Sequence, residues 1–206
     1  MRDLIEGFKN FRENLWPESR ALFRALADKG QSPKVMVIAC ADSRVDPQMI
    51  FSAAPGEIFT VRNVANLVPP YAPNRDFHGT SAALEFAVRG LGVEHILVIG
   101  HADCGGIRAL LRSPAPLAGY DFVESWMSIA APARTRALAK SGGNSTELQH
   151  VCEQESVKVS LENLMTFPWI RERVESGQLK LHGAYFSIET GQLLLLGQDG
   201  NFLPVV

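Results

Sequence analysis

Two short segments hold side chains that can do chemistry together. In Val37-Ile38-Ala39-Cys40-Ala41-Asp42-Ser43-Arg44 an apolar run ends on a cysteine, with a carboxylate two residues on and a guanidinium two after that. Further along, in Gly100-His101-Ala102-Asp103-Cys104-Gly105-Gly106, a second apolar run ends near a histidine and a cysteine three residues apart. If the two run ends are neighbours, Cys40, His101 and Cys104 form a set of two sulfurs and one nitrogen. With three protein ligands of this kind, zinc keeps a fourth position for water or substrate, whereas a structural site normally fills it with another Cys or His. Cys152 is the only other cysteine and sits far along the chain in a helical pattern, so it is expected to be dispensable. A strand cysteine taken alone is usually a small hydrophobe, and Cys40 and Cys104 form no CxxC redox motif. The metal reading therefore rests on convergence. The glycine-rich stretch matches neither GxGxxG nor GxxxxGK[ST]. His78, His95, His150 and His182 lie outside both segments and are expected at the surface or in a satisfied core.

Asp42 and Arg44 have a task beside such a metal. Zinc with two thiolates is formally neutral and acidifies water less than zinc on three imidazoles, for which a pKa of ~7 is typical. A carboxylate that accepts a hydrogen bond from the attacking oxygen then helps, but a free carboxylate would compete for the metal. Arg44 can hold Asp42 through a bidentate pair with a guanidinium that never deprotonates. Ser43 reads as a turn residue. Cys104 precedes a helix start, where free N–H groups favour a thiolate, and Gly105 and Gly106 leave backbone room for a small substrate.

The chain that must position these residues has 206 of them, 46% apolar. That is enough for one domain over residues 1–206 with its own core. A net charge of −2 gives no electrostatic reason to expect nucleic acid or a membrane surface. The apolar runs are too short to cross a bilayer, the N-terminal residues lack the uninterrupted apolar stretch of a signal peptide, and three cysteines suit a reducing compartment. A cytoplasmic protein is expected. Residues 1–30 read as a helical arm of two amphipathic helices, with Pro17 at the start of the second and Gly30 at its end. Buried strands follow at Val35 to Ala41, in "GEIFTVRNVAN" and in "EHILVIG". Helices are expected in "SAALEFAVRGLG", capped by Thr80 or Ser81, from "CGGIRALL", across 122–140 and 145–165, and from Pro168. The Pro-rich "VPPYAPNRDFHG", "RSPAPLAGYD" and "SGGNS" read as connectors. The last stretch, "KLHGAYFSIETGQLLLLG", reads as a hairpin. Alternating strands and helices predict an α/β fold: a mostly parallel four-stranded sheet, helices on both faces and an added C-terminal antiparallel edge strand. In such sheets ligands sit beyond the carboxyl ends of the strands.

"CADSR" and "HADCGG" resemble the CxDSR and HxxCGG patterns of the β-class carbonic anhydrases. "GQSPKVMVIACADSRVDP", "PGEIFTVRNVAN", "GTSAALEFAVRGLGVEHILVIGHADCGG" and "LHGAYFSIETGQL" are similar to that family in the same order, over nearly the whole chain. The resemblance implies one zinc per chain on Cys40, His101 and Cys104, with reversible hydration of CO₂ to bicarbonate and a proton. Asp42 and Arg44 would be the catalytic pair, and Gln31, Phe59, Val64, Phe86 and Gly105 would line the substrate pocket. Gln31 matches a glutamine that plant-like members offer across a dimer interface, and Phe86 stands where many of them have tyrosine. A homodimer or dimer of dimers, with the N-terminal helices packed on the partner subunit, is implied too. Some members carry an inhibitory bicarbonate site of Trp, Arg and Tyr. Here Arg62 matches, but Val37 and Phe186 replace the other two, so an open site with Asp42 off the metal is expected. The alternative on the same scaffold is a carbonyl sulfide or carbon disulfide hydrolase. A non-catalytic zinc scaffold would not need Asp42, Arg44 and Gln31.

Overall fold

The computed structural model describes residues 1–74, 76–112, 120–142 and 145–205. The expected connector "RSPAPLAGYD" and the middle of "SGGNS" fall largely or partly outside these. Six strands form one sheet in the order β2-β1-β3-β4-β5-β6: β1 (Val35–Cys40), β2 (Ile58–Asn63), β3 (His95–His101), β4 (Lys180–Phe186), β5 (Leu193–Leu196) and β6 (Phe202–Pro204). The first four in this order run parallel. β5 returns antiparallel to β4 through the expected hairpin. β6 then adds a second antiparallel strand and takes the edge that one strand was expected to hold.

VMVIAC reads as a continuous apolar run because β1 is covered on both faces. One face buries Met36, Ile38, Ile96 and Val98 under α4 (Gly79–Glu85), α8 (Ser145–Leu164) and α9 (Pro168–Glu175), through Leu84, Val157, Leu164 and Ile170. The other buries Val37, Ala39, Ile99 and Ala184, with Phe51 just after α3 (Pro47–Ile50). A third cluster caps the carboxyl end of the sheet. There Cys40 and Cys104 pack with α5 (Gly105–Leu111), α6 (Val123–Met127), α7 (Ala131–Lys140) and α8. α8 presses directly on β3: a Cβ on Gly100 would stand 2.7 Å from Val157 Cγ2, so glycine allows the close approach.

Two local expectations change. The arm is not two separate helices. α1 (Arg2–Asn10) runs through a π-turn at Phe11–Leu15 into α2 (Trp16–Lys29) with helical backbone throughout. Pro17 sits in the first turn of α2, where it interrupts no necessary hydrogen bond if the preceding turn is widened. Gly30 ends the helix at φ 75°, as expected. α4 begins at Gly79, preceded by His78, and neither Thr80 nor Ser81 caps it. Thr80 is instead spent on the Asn63 side chain.

Candidate metal centre

In the strand order 2-1-3-4 the connections diverge between β1 and β3, and ligands bind beyond the carboxyl ends at such a point. Cys40 is the last residue of β1 and His101 the last of β3. A turn at Ala102–Asp103 then delivers Cys104 just before α5. The ligand atoms of Cys40, His101 and Cys104 all lie within 4.8 Å of one another, and all three residues are buried. Among the described residues this is the one such group. Cys152 is buried elsewhere on α8, and burial pushes its thiol up to about 12, which makes it inert.

The donor set fits a soft cation. His101 Nδ1 lies 2.8 Å from the Ala102 carbonyl, which can only accept, so Nδ1 carries the hydrogen and Nε2 keeps its lone pair. Nε2 is buried without a hydrogen-bond partner. Such an orphan is costly unless something takes its lone pair. The thiols share charge unequally. Cys40 is pulled down to about 4, chiefly by the hydrogen bond from Cys104, which outweighs the opposing effect of burial. The Cys104 thiol goes up, because Cys40 and burial both oppose a second negative charge. Two sulfurs and an imidazole at this spacing select zinc-like ions over hard cations.

Asp42 follows Cys40 by two residues, and Arg44 grips it as expected. Arg44 Nε donates to Asp42 Oδ1 at 2.9 Å, Nη2 to Oδ2 at 2.8 Å, and the Arg44 backbone N–H to Oδ1 at 3.0 Å. The side-chain hydrogen bonds from Arg44 hold the Asp42 carboxyl well below the usual carboxylate range. Arg44 Nη2 also reaches the Asp103 carbonyl at 3.2 Å, so one guanidinium ties the Cys40 loop to the Cys104 loop. Arg62 is occupied structurally. Nε donates to the Cys40 carbonyl at 3.0 Å, Nη2 to the Asp42 carbonyl at 2.6 Å, and Nη1 to Asp46 Oδ2 at 3.1 Å. Asp46 in turn accepts backbone N–H groups of Gln48 and Met49 at the start of α3.

The five expected pocket residues fall into two groups. Gly105 follows Cys104, and a Cβ there would meet nothing within 4 Å, so the backbone beside the metal set is open. Val64 follows β2 at the same end of the sheet and is 40% exposed. It rides on a strained turn, in which Ala65 and Asn66 have φ of 63° and 49°. Asn63 brackets that turn by accepting the Leu67 N–H and donating to the Leu67 carbonyl, while Trp126 Nε1 donates to the Val64 carbonyl. The other three residues are not at this end. Phe59 sits beside Met36 in the β1–β2 register, and its ring meets Phe86 at 5.9 Å. Phe86, on the π-turn that extends α4, is 53% exposed. Gln31 lies exposed before β1. β1 has six residues, so at roughly 3.3 Å per residue its two ends, with Gln31 before the first and Cys40 on the last, are about 17 Å apart within one chain.

Sequence reasoning missed Glu153. From the middle of α8 its carboxylate accepts the Cys104 backbone N–H at 2.9 Å. The signal available was an acid beside Cys152 with Glu155 two residues on, and nothing in that spacing points to Cys104.

The family model described as "Carbonic anhydrase" matches residues 35–193. Beta carbonic anhydrase 5, chloroplastic, of Arabidopsis thaliana is 43% identical over 187 residues, which are 90% of this chain and 61% of that relative, so the chain spans somewhat under two thirds of its length. The solved structure of the β-carbonic anhydrase CcaA superposes with a TM-score of 0.93 at 34% identity, covering 99% of this chain and 98% of the other. One of two tetrameric β-carbonic anhydrases from Sordaria macrospora gives a TM-score of 0.76 at 30% identity, covering 95% and 93%.

Proposed function

The chain belongs to the β-class carbonic anhydrase family, and from that premise we propose that it hydrates CO₂ reversibly to bicarbonate and a proton at a zinc held by Cys40, His101 and Cys104. The observation that carries this reading is the convergence of two sulfurs and the orphaned His101 Nε2, with Asp42 clamped beside them. Zinc in such a set would supply a Lewis acid that acidifies water into a nucleophile. The protein's own groups do the orienting. An ionised carboxylate offers about four lone-pair sites. Arg44 takes three of them in Asp42, which leaves one for the hydrogen of the attacking water. That single remaining acceptor aims the oxygen lone pair at carbon. Arg44 also keeps the carboxylate turned away from the ligand set. CO₂ is small and apolar and suits a tight pocket with few polar groups. Val64 and Gly105 supply one wall.

Gln31, Phe59 and Phe86 supply the other wall from the partner subunit in this reading, since within one chain they stand at the far end of the strands. One zinc per chain, a single domain over residues 1–206 with an N-terminal arm, a homodimer or dimer of dimers, and cytoplasmic residence complete the proposal. Three unpaired cysteines support that compartment. Among the described residues no helix is long and apolar enough to cross a membrane.

Stopped-flow CO₂ hydration by the purified protein, with metal content by elemental analysis, tests the core of this. The expected result is one zinc per chain and rapid hydration, both lost in Cys40→Ser and both kept in Cys152→Ala. Zinc-loaded protein that is inert toward CO₂ but hydrolyses carbonyl sulfide or carbon disulfide would move the assignment to that alternative.

A further inference from the structure

Glu153 is 2% exposed, and a buried acid needs partners. It has only donors around it. Oε1 accepts the Cys104 backbone N–H and the Gln149 side-chain amide, each at 2.9 Å, and Oε2 accepts the Tyr185 hydroxyl at 2.7 Å. The chain continues outward. His150 Nδ1 lies 3.0 Å from the Tyr185 oxygen, and Gln154 Nε2 lies 3.1 Å from His150 Nε2. Gln154 Nε2 can only donate, so His150 Nε2 accepts and Nδ1 carries the hydrogen, an assignment made from the network. Tyr185 then receives from His150 and spends its own O–H on Glu153. Every bond in the series points inward to one carboxylate.

What that carboxylate holds is the peptide group between Asp103 and Cys104. Asp103 has φ 57°, a left-handed backbone that a residue with a Cβ adopts at a cost, so the turn needs outside support. The carbonyl of this peptide accepts from Arg44 Nη2 at 3.2 Å and from Arg108 Nη2 at 3.3 Å. Its N–H is taken by Glu153 from the opposite side. The peptide plane is gripped at both ends, and the Cys104 side chain leaves from the atom next to it.

We propose that Glu153 is a positioning residue of the metal centre: by holding the N–H of the Asp103–Cys104 peptide, it sets where Cys104 Sγ stands relative to Cys40 and His101. This rests on the metal reading of the site. Glu153 does not touch the reacting atoms, and its effect is carried through Cys104. The tie to Tyr185 has a rival explanation, namely that Glu153 only fastens α8 to β4.

The test uses full-length protein and measures zinc affinity by competition with a chromophoric chelator, alongside the thiolate-to-metal absorption bands of the cobalt(II)-substituted form. Groups that orient metal ligands typically cost 10–100-fold in metal affinity when removed, and about that loss is expected for Glu153→Ala, with shifted cobalt bands. Glu153→Gln keeps an oxygen for the Cys104 N–H and presents its amide to the Tyr185 oxygen, so affinity should stay within about threefold of the parent, as should Tyr185→Phe, which cuts only the β4 tie. Folded Glu153→Ala with parental affinity and unchanged cobalt bands overturns the proposal. So does Tyr185→Phe that weakens binding as much as Glu153→Ala. Should Glu153→Ala not fold, Glu153→Asp carries the test, because it keeps the acid but withdraws it by one methylene; about tenfold weaker zinc binding is expected, and parental affinity overturns the proposal. A parent protein that binds no metal removes the metal reading and this proposal together. A parent that binds one zinc, beside variants equal to it, removes this proposal alone.

Discussion

Arg44 has two duties that a substitution separates only in part. It occupies three acceptor sites of Asp42 and ties the Asp42 loop to the Asp103 carbonyl. Arg44→Ala leaves the carboxylate with the backbone N–H alone and free to turn toward the ligand set. The expected variant keeps its zinc but loses CO₂ hydration by at least about tenfold, a barrier increase of ~1.4 kcal/mol. The pH dependence has a definite sign. With Arg44 present the Asp42 carboxyl is depressed below the usual range, so it stays ionised at every ordinary working pH and adds no acid limb of its own. Without Arg44 its pKa returns toward 3.8, and any new loss must appear on the acid side. Arg44→Lys keeps the charge but not the planar fork, and should recover little. Asp42→Asn combined with Arg44→Ala should be no worse than the more damaging single change, because the two act as a unit. Additive losses in the rate constants would refute the clamp.

The elements place these residues, and α8 does so while itself needing a clip to α7. Glu155 is 3% exposed and lies 2.8 Å from both Lys140 on α7 and Lys158 one turn along α8, with Arg136 at 3.8 Å. Burial pushes its carboxyl up, but the hydrogen bonds from Lys140 and Lys158 outweigh that, and the net shift is down from 4.5. A depressed folded pKa means that the unfolded chain binds more protons in the window below 4.5. The stability from Glu155 is therefore complete above that pH and is lost as the pH falls through the folded value. Glu155→Gln should lower the melting temperature at pH 7 and flatten its decline as the pH falls below about 4.5. A variant with the parental acid slope would show that another carboxylate sets it. At this scale the sequence was readable where periodicity and punctuation act locally. The apolar runs ending on Cys40 and near Cys104, the "ETGQ" turn and Gly30 all sit where expected. The continuous arm was not readable, because Pro17 signals a helix start and only a tertiary view shows that a π-turn accommodates it. The capping by Thr80 failed for a similar reason, since its hydroxyl goes to Asn63 across the chain. Glu153 and the bonds of Arg62 depend on contacts between distant segments, and no spacing rule reports those.

At the scale of the whole molecule the proposed site draws on two chains. α1 and α2 bury no residue, and Leu4, Phe8 and Leu15 are 72%, 62% and 52% exposed. Phe8, Phe11, Trp16 and Phe23 stack on one another, and the Arg12 guanidinium lies over the Trp16 ring at 5.5 Å. An arm with this much apolar surface outside the core needs a partner to cover it. Gln31 follows directly after, at the wrong end of β1 for its own Cys40. Both observations are met if the arm lies on a second copy and brings Gln31, Phe59 and Phe86 toward that copy's Val64 and Gly105. Removing residues 1–29 should then leave a folded sheet that sediments as a monomer and hydrates CO₂ poorly; a fully active monomer would contradict the shared site. Complementation decides the point more sharply. Cys40→Ser chains lack the metal, and Gln31→Ala chains have a damaged pocket, so each homodimer should be weak. In a two-fold dimer that shares its sites, the mixed species joins the metal set of a Gln31→Ala chain to the intact Gln31 of a Cys40→Ser chain. Random mixing should then restore about one quarter of the parental sites. If Gln31 instead serves its own chain, the mixed dimer holds one site without metal and one without glutamine, and co-expression gains nothing over the weak homodimers.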